Sequence, residues 1–330
     1  MPTLRATALL ALKIAAALLA VSAVAGRAAL AQSYPDHPVQ VIISFTPGSS
    51  TDIVGRIVLQ KLSEMWHQPV VAENRAGAGG TIGAAAVARA APDGYTLLVD
   101  STGHAVAPAI YAKLPYDTNR DFIDVAGLAV QPNVLVVPAN SPYKSVMDVV
   151  NAAKAKPGAL NFASAGVGSG THLNLERFIQ AAGIQVTHIP YKGTPEVISA
   201  LLNNSVDCYW APISAAMSNI RSGNLRPLAV STARRNSQLP EVPTTGEAGV
   251  AGADSPLWFG IWAPAGTPAR VVAKISADVH TALGNPDVKE KLANLGNDTM
   301  DMSQQDFARF VREETETYAR LVARAGVKPQ

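Results

Sequence analysis

Short β-rich runs alternate with helical runs along most of this sequence, and this alternation restricts the fold more than any other feature. Residues 39–45 are rich in Val and Ile, and residues 53–66 carry apolar residues at helical spacing. Residues 69–73 and 95–99 repeat the strand pattern, with the Ala-rich helical run 82–90 between them. A β-α-β-α order of this kind predicts a mostly parallel sheet with helices on both faces.

A second alternating set follows the apolar run 125–137. Its predicted helices are residues 146–154, 172–182 and 195–202, and its predicted strands are residues 160–163, 186–189, 206–210 and 225–230. A turn-rich region, residues 234–256, leads to the apolar run 257–263 and to two amphipathic helices, of which residues 307–325 form the longer. Two such sets predict a fold of two α/β lobes.

The length supports two lobes joined by two crossings. About 300 of the 330 residues remain once an N-terminal segment is excluded, which is more than a typical single core holds. We predict crossings near residues 134–137 and 258–263. One lobe then comprises residues 32–137 plus 257–330, and the other residues 138–256. Ligands of open α/β sheets bind at the carboxyl ends of the strands, which places the predicted ligand cleft between the lobes.

Residues 1–31 carry the pattern of a secretory signal peptide. Basic residues precede the apolar run 14–25, and Ala29-Leu30-Ala31 offers a small-x-small cleavage site, with residues 23–25 as a second. The alternative, a membrane anchor, needs about 20 apolar residues, more than this run contains. No cysteine lies near the cleavage point, so a lipid anchor is not expected. The pattern predicts export to the periplasm and removal of the segment.

The charge of the exported chain argues against nucleic acid as a partner. Removing residues 1–31 deletes Arg5, Lys13 and Arg27 and no acidic residue. This leaves 24 of the 27 Lys and Arg against 25 Asp and Glu, a net charge of −1. The basic residues also form no dense run that could follow a phosphate backbone. Local dipoles, rather than net charge, must therefore hold any ligand.

Patterns for catalysis, cofactors and metals are incomplete in the sequence. A G-x-G-x-x-G pattern beginning at Gly77 needs glycine where Ile82 stands. No G-x-S-x-G elbow surrounds Ser169, and the 6 histidines show no metal-binding spacing. Cys208, the only cysteine, lies in an apolar strand pattern and is predicted to be a packed hydrophobic residue. We therefore predict no enzyme activity, no cofactor and no metal.

The loop between the first strand and the first helix has the composition of an anion site. Its candidate ligand-binding residues are Pro47, Gly48, Ser49, Ser50, Thr51 and Asp52. Glycine and serine permit a sharp turn, and Thr51 or Asp52 can cap the helix that follows. Free N–H groups and the positive end of the helix dipole then favour a carboxylate. An ordinary strand-to-helix turn with an N-cap is the alternative.

A loop of the same design lies in the second predicted lobe. Its candidate ligand-binding residues are Ser164, Gly166, Gly168, Ser169, Thr171 and His172. Ser169 or Thr171 can cap the helix that follows. Two such loops, in different lobes and at the same end of a strand, predict a clamp for an anion.

Three further side chains are candidates for the cleft. His104 and His172 are predicted to lie in strand-to-helix loops, where either ring could donate a hydrogen bond to a ligand. Tyr191 follows a predicted strand, with a solvated turn as the alternative. The remaining histidines are predicted to be surface or packing residues.

An ordered set of short motifs makes the chain similar to a known family. The motifs are Pro47-Gly48 through Thr51-Asp52, Glu73-Asn74-Arg75, Gly77-Ala78-Gly79-Gly80, Ala91-Pro92-Asp93-Gly94-Tyr95, Leu114-Pro115-Tyr116-Asp117, residues 132–137, Pro190-Tyr191-Lys192-Gly193 and residues 263–268. Together they resemble the substrate-binding receptors of the tripartite tricarboxylate transporter class, the TctC or Bug-type receptors. The resemblance covers essentially the whole chain after the signal peptide.

The resemblance implies a type II periplasmic-binding fold, in which two α/β lobes close over a ligand between them. It also implies that backbone N–H groups and ordered waters hold a carboxylate, with residues 48–52 on one side and residues 164–172 on the other. Thr102, Gly103 and His104 correspond to another cleft segment of the family. Such receptors hand a mono- or dicarboxylate to a two-protein membrane permease, and we expect this one to be a monomer.

The first loop and the end of the strand at 206–210 depart from the family pattern. The first loop of the family usually reads Pro-Gly-Gly-Gly-Thr-Asp, whereas Ser49 and Ser50 replace two of those glycines here. After residues 206–210 the family often carries an acidic residue, and this chain has Ala211. An ammonium group then has one partner fewer, so amino acids are expected to bind less well than plain carboxylates. The alternatives are an orphan sensor that signals through a partner protein and a secreted enzyme on the same scaffold.

Overall fold

The computed structural model of the protein describes residues 34–325, with side chains described up to residue 323. The predicted signal peptide, residues 1–31, lies outside the described residues. The strands in this range are β1 (Val39–Ile43), β2 (Val70–Asn74), β3 (Thr96–Ser101), β4 (Phe122–Gln131), β5 (Asn133–Pro138), β6 (Asn161–Ser164), β7 (Thr187–Pro190), β8 (Cys208–Pro212), β9 (Leu225–Val230), β10 (Leu257–Pro264) and β11 (Asp298–Thr299).

Helices connect most of these strands. They are α1 (Ser50–Trp66), α2 (Thr81–Ala88), α3 (Gly103–Ile110), α4 (Val146–Ala155), α5 (Gly170–Ala182), α6 (Thr194–Leu202), α7 (Ile213–Arg221), α8 (Ala269–Gly284), α9 (Pro286–Asn294) and α10 (Gln304–Ala325). Within the same range, no helix is long and apolar enough to cross a membrane.

Within residues 34–325 the strands form one sheet of 6 strands and one of 5. The first has the order β11-β4-β10-β3-β1-β2, and the second β7-β6-β8-β5-β9. Each sheet has a parallel part, in which β1 pairs with β2 and β3, and β6 pairs with β7 and β8. Helices connect these parallel strands, as in βα units. Both sheets also contain antiparallel pairs. In the first sheet β10 pairs in this way with β3 and β4, and β11 with β4; in the second sheet β5 pairs with β8 and β9. The predicted α/β class is confirmed, although the sheets are mixed rather than mostly parallel.

The chain passes between the sheets at two adjacent places. β4 ends at Gln131 in the first sheet and β5 begins at Asn133 in the second, so the first passage lies at Pro132. This is a few residues before the boundary predicted after residue 137, because β5 pairs with β8 and β9. The Ser231 hydroxyl accepts from Asn133 N–H and donates to the Ser255 carbonyl, both at 2.9 Å. The second passage is the segment between β9, which ends at Val230 in the second sheet, and β10, which begins at Leu257 in the first. Ser231 and Ser255 lie at the two ends of this segment, so the hydrogen bonds of Ser231 connect the two passages.

Separate hydrophobic clusters support the two sheets. Strand β8 shows how the second sheet is buried on both faces. Tyr209 and Ala211 belong to one cluster, whereas Cys208 and Trp210 belong to another, as the two-residue period of a strand requires. Cys208 is fully buried, and burial raises the pKa of its thiol well above the usual value. Its environment is that of the packed hydrophobic residue expected from the sequence.

Several elements differ from the sequence prediction. Within the described residues, three helices (α8, α9 and α10) follow β10, where two were predicted, because α8 and α9 are separated at Asn285 and Pro286. Helix α7 directly follows β8, where the sequence suggested a passage to the next strand. Helix α3 includes Pro108 and begins at Gly103, and both residue types disfavour a helix in isolation. Its buried positions pack into the core of the first sheet, which compensates for this low propensity. The apolar run 125–137 is two strands rather than one, because Pro132 interrupts it.

Candidate ligand-binding site

Loop one, residues 46–49, leads from β1 into α1 with a serine cap. Ser49 has extended backbone angles, and its hydroxyl accepts from the N–H of Asp52 at 3.4 Å. Gly48 has a φ of +78°, which favours glycine, and its N–H donates to Asp52 Oδ2 at 2.9 Å. The N–H groups of Ser50 and Thr51 have no intrahelical acceptor at this helix start. They remain available, together with the positive end of the helix dipole, for an anion.

Loop two, residues 164–169, repeats this geometry at the start of α5. Gly168 has a φ of +77°, and Ser169 is the N-cap whose hydroxyl accepts from the N–H of His172 at 3.3 Å. The N–H of Gly168 donates to His172 Nδ1 at 3.2 Å, in the place where Gly48 donates to Asp52. The N–H groups of Gly170 and Thr171 again have no intrahelical acceptor.

Both helix starts face the same narrow cavity. The cavity is lined by Phe45, Ser49, Ser50, Thr51, Ser101, Ala165, Ser169, Gly170, Thr171, Thr194, Pro212 and Leu257. Thr194 is the first residue of α6, so a third helix N-terminus also reaches it. Among these lining residues of the described range, no side chain is charged. Main-chain dipoles and hydroxyl groups therefore set the electrostatics of the cavity, and they favour an anion.

Two carboxyl groups lie near the cavity but are already engaged. Asp52 Oδ1 accepts from Arg56 Nε at 2.7 Å and from Asn74 Nδ2 at 2.8 Å. Asp100 Oδ1 accepts from the Ser44 hydroxyl at 2.6 Å and from the N–H of Ser101 at 2.7 Å. Burial raises the pKa of Asp100 to about 7, against these two hydrogen bonds, which lower it. Below pH 7 Asp100 is therefore mostly protonated and places little negative charge beside the cavity.

The two sheets contact each other closely around the cavity. A Cβ atom added at Gly79, after β2, would overlap the Val167 carbonyl of loop two. A Cβ atom at Gly193 would likewise overlap the Thr46 side chain of loop one. The Tyr111 hydroxyl, at the end of α3, donates to the same Val167 carbonyl at 2.7 Å. These contacts close the space between the two loops.

Comparison with known proteins identifies this arrangement. The family described as "Tripartite tricarboxylate transporter family receptor" (TctC) matches residues 54–327. The chain belongs to this family. A Pseudomonas sp. (strain P51) member, "UPF0065 protein in tcbD-tcbE intergenic region", is 38% identical over 310 residues, which cover 94% of this chain and 92% of that relative.

Two solved structures that resemble this TctC-family chain were obtained with dicarboxylates. A Rhodopseudomonas palustris protein with adipate matches with a TM-score of 0.87 and 33% identity, over 90% of this chain and all of that one. MatC from the same organism, with bound malate, matches with a TM-score of 0.84 and 33% identity, over 88% of this chain and 100% of its own. The resemblance to the family that the motifs predicted is thus confirmed.

The two predicted loops meet in this TctC-family fold. Ser49, Ser50, Thr51, Ser169 and Thr171 line the cavity. The other loop residues shape the loops instead of lining it. Gly48 and Gly168 supply the positive φ, and Asp52 and His172 accept the N–H groups of those glycines. Pro47 is exposed, and the Ser164 hydroxyl accepts from the N–H of Gly166 at 3.1 Å.

His104 and His172 do not lie in loops, as the sequence suggested, but in the first turns of α3 and α5. His104 is buried among aromatic rings, with Phe122 and Trp262 at centroid distances of 4.7 and 4.6 Å. Burial lowers the pKa of His104 to about 3, so the ring is neutral there. Its neighbour Thr102 is bound to β10, because its hydroxyl accepts from Trp258 N–H at 3.1 Å.

The remaining predicted site residues surround the cavity at a distance. Gly103 packs tightly against loop two. A Cβ atom added at this position would lie 3.3 Å from the Gly168 carbonyl oxygen. Ala211 is fully buried in the hydrophobic cluster that also includes the half-buried Tyr191. The next residue of β8, Pro212, lines the cavity.

Sequence reasoning missed Phe45, Ser101, Thr194, Pro212 and Leu257 as lining residues. Phe45, Ser101 and Thr194 each lie at the end of a strand or the start of a helix, which is a signal that the loop rule could have included. Leu257 carries no such signal, because it begins β10 after a long irregular segment. Within the described residues, no group of three His, Cys, Asp or Glu side chains is placed to hold a metal ion.

Proposed function

We propose that this protein is a periplasmic receptor that encloses a small mono- or dicarboxylate between the N-termini of α1 and α5. One observation carries the proposal: two serine-capped helix starts, each from a different sheet, face the same cavity. Each offers two main-chain N–H groups without an intrahelical acceptor. A carboxylate has two oxygens and can accept hydrogen bonds from both sides at once.

The free energy of binding a carboxylate at micromolar affinity requires several of these hydrogen-bond donors to act together. A helix dipole contributes about 0.3–1 kcal/mol at an exposed site and up to about 2 kcal/mol when partly buried. A dissociation constant of about 1 μM corresponds to about −8 kcal/mol. Helix starts at α1, α5 and α6, hydroxyl groups of Ser and Thr, and exclusion of water by the closed lobes must therefore act together.

The ligand class follows from the relatives and from the lining. The related structures contain adipate and malate, which supports a small carboxylate here. The lining has no acidic side chain to pair with an ammonium group, and Ala211 stands where the family often carries one. We therefore expect amino acids such as aspartate and glutamate to bind more weakly than plain carboxylates of the same length.

The role in the cell is proposed from the family and from the N-terminal pattern. The signal-like residues 1–31 support a periplasmic location, and the family name supports delivery to a two-protein membrane permease. A role in sensing through a partner protein is the alternative. Deletion of the gene distinguishes the two, because transport predicts loss of carboxylate uptake, whereas sensing predicts intact uptake with loss of a response.

Thermal shift on residues 32–330 tests the binding proposal. The panel contains aliphatic, hydroxy, amino and aromatic carboxylates. A ligand at 100 times its dissociation constant stabilises a protein by about 2.7 kcal/mol, which raises the melting temperature by a few degrees. We expect at least one plain carboxylate to produce this shift and Thr51→Val, in the cavity lining, to reduce it.

Thr281→Val, on the exposed surface of α8, is the matched control and should leave the shift unchanged. Bound endogenous ligand can mask a shift, so the panel is repeated after unfolding and refolding by dilution. The proposal fails if the refolded protein responds to no carboxylate, or if it responds most strongly to aspartate or glutamate, which contradicts the assigned ligand class.

A further inference from the structure

Two histidine rings stack against each other behind loop two. His172 lies in the first turn of α5 and His188 in β7, with ring centroids 4.2 Å apart and planes within 13° of parallel. The Gly168 N–H donates to His172 Nδ1 at 3.2 Å, and Ser164 Oγ lies 2.6 Å from His188 Nε2. The stacked pair therefore holds loop two at two points.

Both contacts are complete when the rings are neutral. Because His172 Nδ1 accepts a hydrogen bond, the ring hydrogen belongs on Nε2, which lies 3.5 Å from Glu176 Oε1. The Ser164 hydroxyl accepts from Gly166 N–H, which leaves its own hydrogen for His188 Nε2. A proton on His172 Nδ1 places a donor opposite the Gly168 N–H and breaks that contact. A proton on His188 Nε2 can instead be donated to Ser164 Oγ, whose hydroxyl oxygen has a second lone pair.

A comparison of loop two with loop one shows the structural role of His172. There Asp52 accepts the N–H of Gly48 four residues earlier, as His172 accepts that of Gly168. Both acceptors hold a glycine of positive φ just before the serine cap. A carboxylate remains an acceptor throughout the neutral range, whereas an imidazole loses that capacity when it is protonated. Of the two matched loops, only loop two therefore depends on an imidazole nitrogen as the acceptor of this N–H group.

Charged and titratable side chains from α3, α5 and α10 lie around the stacked histidine pair. Glu176 and Arg177 face it from α5, Tyr111 lies at the end of α3, and α10 contributes Tyr318 near Arg177. Burial and then the neighbouring His172 lower the pKa of His188 to about 4, and Glu176 opposes them. The unfolded value is near 6.5, so the stability from neutral His188 is present above pH 6.5 and is lost as the pH falls toward 4.

We infer that His172 and His188 are positioning residues: as a neutral stacked pair they hold loop two so that the N–H groups at the start of α5 face the carboxylate, and loss of the acceptor at His172 Nδ1 weakens binding. The inference rests on the proposed function for its effect on affinity. Its geometric part does not, because β6, loop two, α5 and β7 belong to the same side of the cleft.

Nitrogen-15 NMR of histidine-labelled protein, without added carboxylate, tests the geometric part. At pH 7.5 we expect His172 as the Nε2–H tautomer and His188 as the Nδ1–H tautomer, both neutral. A charged His172 at pH 7.5, or the opposite tautomer of that ring, overturns the inference whether or not any carboxylate binds.

Calorimetric titration with malate and with adipate, at pH 7.5 and pH 5.5, tests the functional part. We expect the wild-type dissociation constant to rise between these pH values by more than that of His172→Asn, with a ceiling of about tenfold for one lost hydrogen bond in a binding loop. His172→Asn keeps an acceptor near the Nδ1 position and does not titrate. Its dissociation constant should change only as far as protonation of the added carboxylate requires.

His280→Asn is the matched control, because His280 is an exposed histidine paired with Asp301 outside the cleft. It should keep the wild-type dependence on pH. Equal pH profiles for wild type and His172→Asn contradict the inference. If neither malate nor adipate binds at any pH, their assignment as ligands under the proposed function fails, and the tautomers alone decide the positioning role.

Discussion

Asp100 lies in an environment that disfavours the ionised form of its carboxyl group. It is 1% exposed, and both of its hydrogen bonds, from the Ser44 hydroxyl and the Ser101 N–H, go to Oδ1. Its Oδ2 lies 3.9 Å from His104 Nδ1, a ring atom without a hydrogen-bond partner among the described residues. The protein thus keeps a carboxyl group next to its candidate anion site and burial keeps that group protonated in acid.

Asp100→Asn should stabilise the protein in alkali. The pKa of Asp100 rises from 3.8 to about 7 on folding, so wild-type stability falls as the pH rises from 3.8 to 7. Asparagine retains an acceptor for both hydrogen bonds and does not titrate. We expect a gain in the free energy of unfolding of at most about 4 kcal/mol at pH 8, and a smaller gain at pH 5, by urea denaturation.

An exposed aspartate gives the control for this prediction. Asp298→Asn, in β11, should change stability by the same small amount at both pH values. An Asp100→Asn gain that is equal at pH 5 and pH 8 would show that Asp100 is ionised in the folded protein, contrary to the effect of its burial.

At the scale of elements, the starts of α1 and α5 perform two tasks. Each serine cap satisfies one main-chain donor, and each start leaves two others for the cavity. Helix α4 offers a comparison, because Ser145 caps it in a capping box with Asp148 at an exposed position. The same cap there serves stability alone.

Ser169→Ala and Ser145→Ala should therefore separate stability from binding. Each removes an N-cap and should lower the free energy of unfolding by about 1 kcal/mol. Only Ser169→Ala should also weaken carboxylate binding, because Ser169 lines the cavity and Ser145 does not. Chemical denaturation and calorimetry on both variants provide the measurements, and equal binding by the two would argue against a site at the start of α5.

Elements with a strong hydrophobic periodicity were predictable from the sequence, whereas elements whose formation depends on tertiary packing were not. Helices α1, α5 and α10 were found from their apolar spacing. Helix α3 was missed because Gly103 and Pro108 hide it, and packing against the first sheet decides its formation. The two loops were found from their place after a strand. The role of His188 could not be found, because pairing of β7 with β6 brings it to Ser164.

At the scale of the whole molecule, glycine determines how closely the two sheets approach. Gly79 and Gly183 both have a φ of +62°, so alanine is strained by a similar amount at either position. At Gly183 an added Cβ atom meets nothing within 4 Å, whereas at Gly79 it meets the Val167 carbonyl from the other sheet. Alanine substitutions at these two glycines therefore separate the effect of local backbone strain from the effect of a clash between the two sheets.

Gly79→Ala and Gly183→Ala should each cost about 1 kcal/mol of stability, the penalty of a left-handed conformation. Gly79→Ala should additionally raise the dissociation constant for the best carboxylate by tenfold or more, because the sheets can no longer approach. Calorimetry measures the affinity, and small-angle scattering with saturating carboxylate should show a larger radius of gyration for Gly79→Ala. Matching affinities for the two variants would contradict this account of closure.

The donors that face the cavity from α1 and α5 are main-chain groups, and this affects how the protein can diverge. A point mutation can replace a side chain but cannot delete a peptide N–H, except by introducing proline. The wall residues Phe45, Pro212 and Leu257 can therefore vary in size and shape while the grip on a carboxylate persists. Related proteins with this scaffold can therefore evolve to bind different ligands by changing the wall residues that contact the rest of the ligand, while the proposed main-chain contacts to its carboxylate are retained.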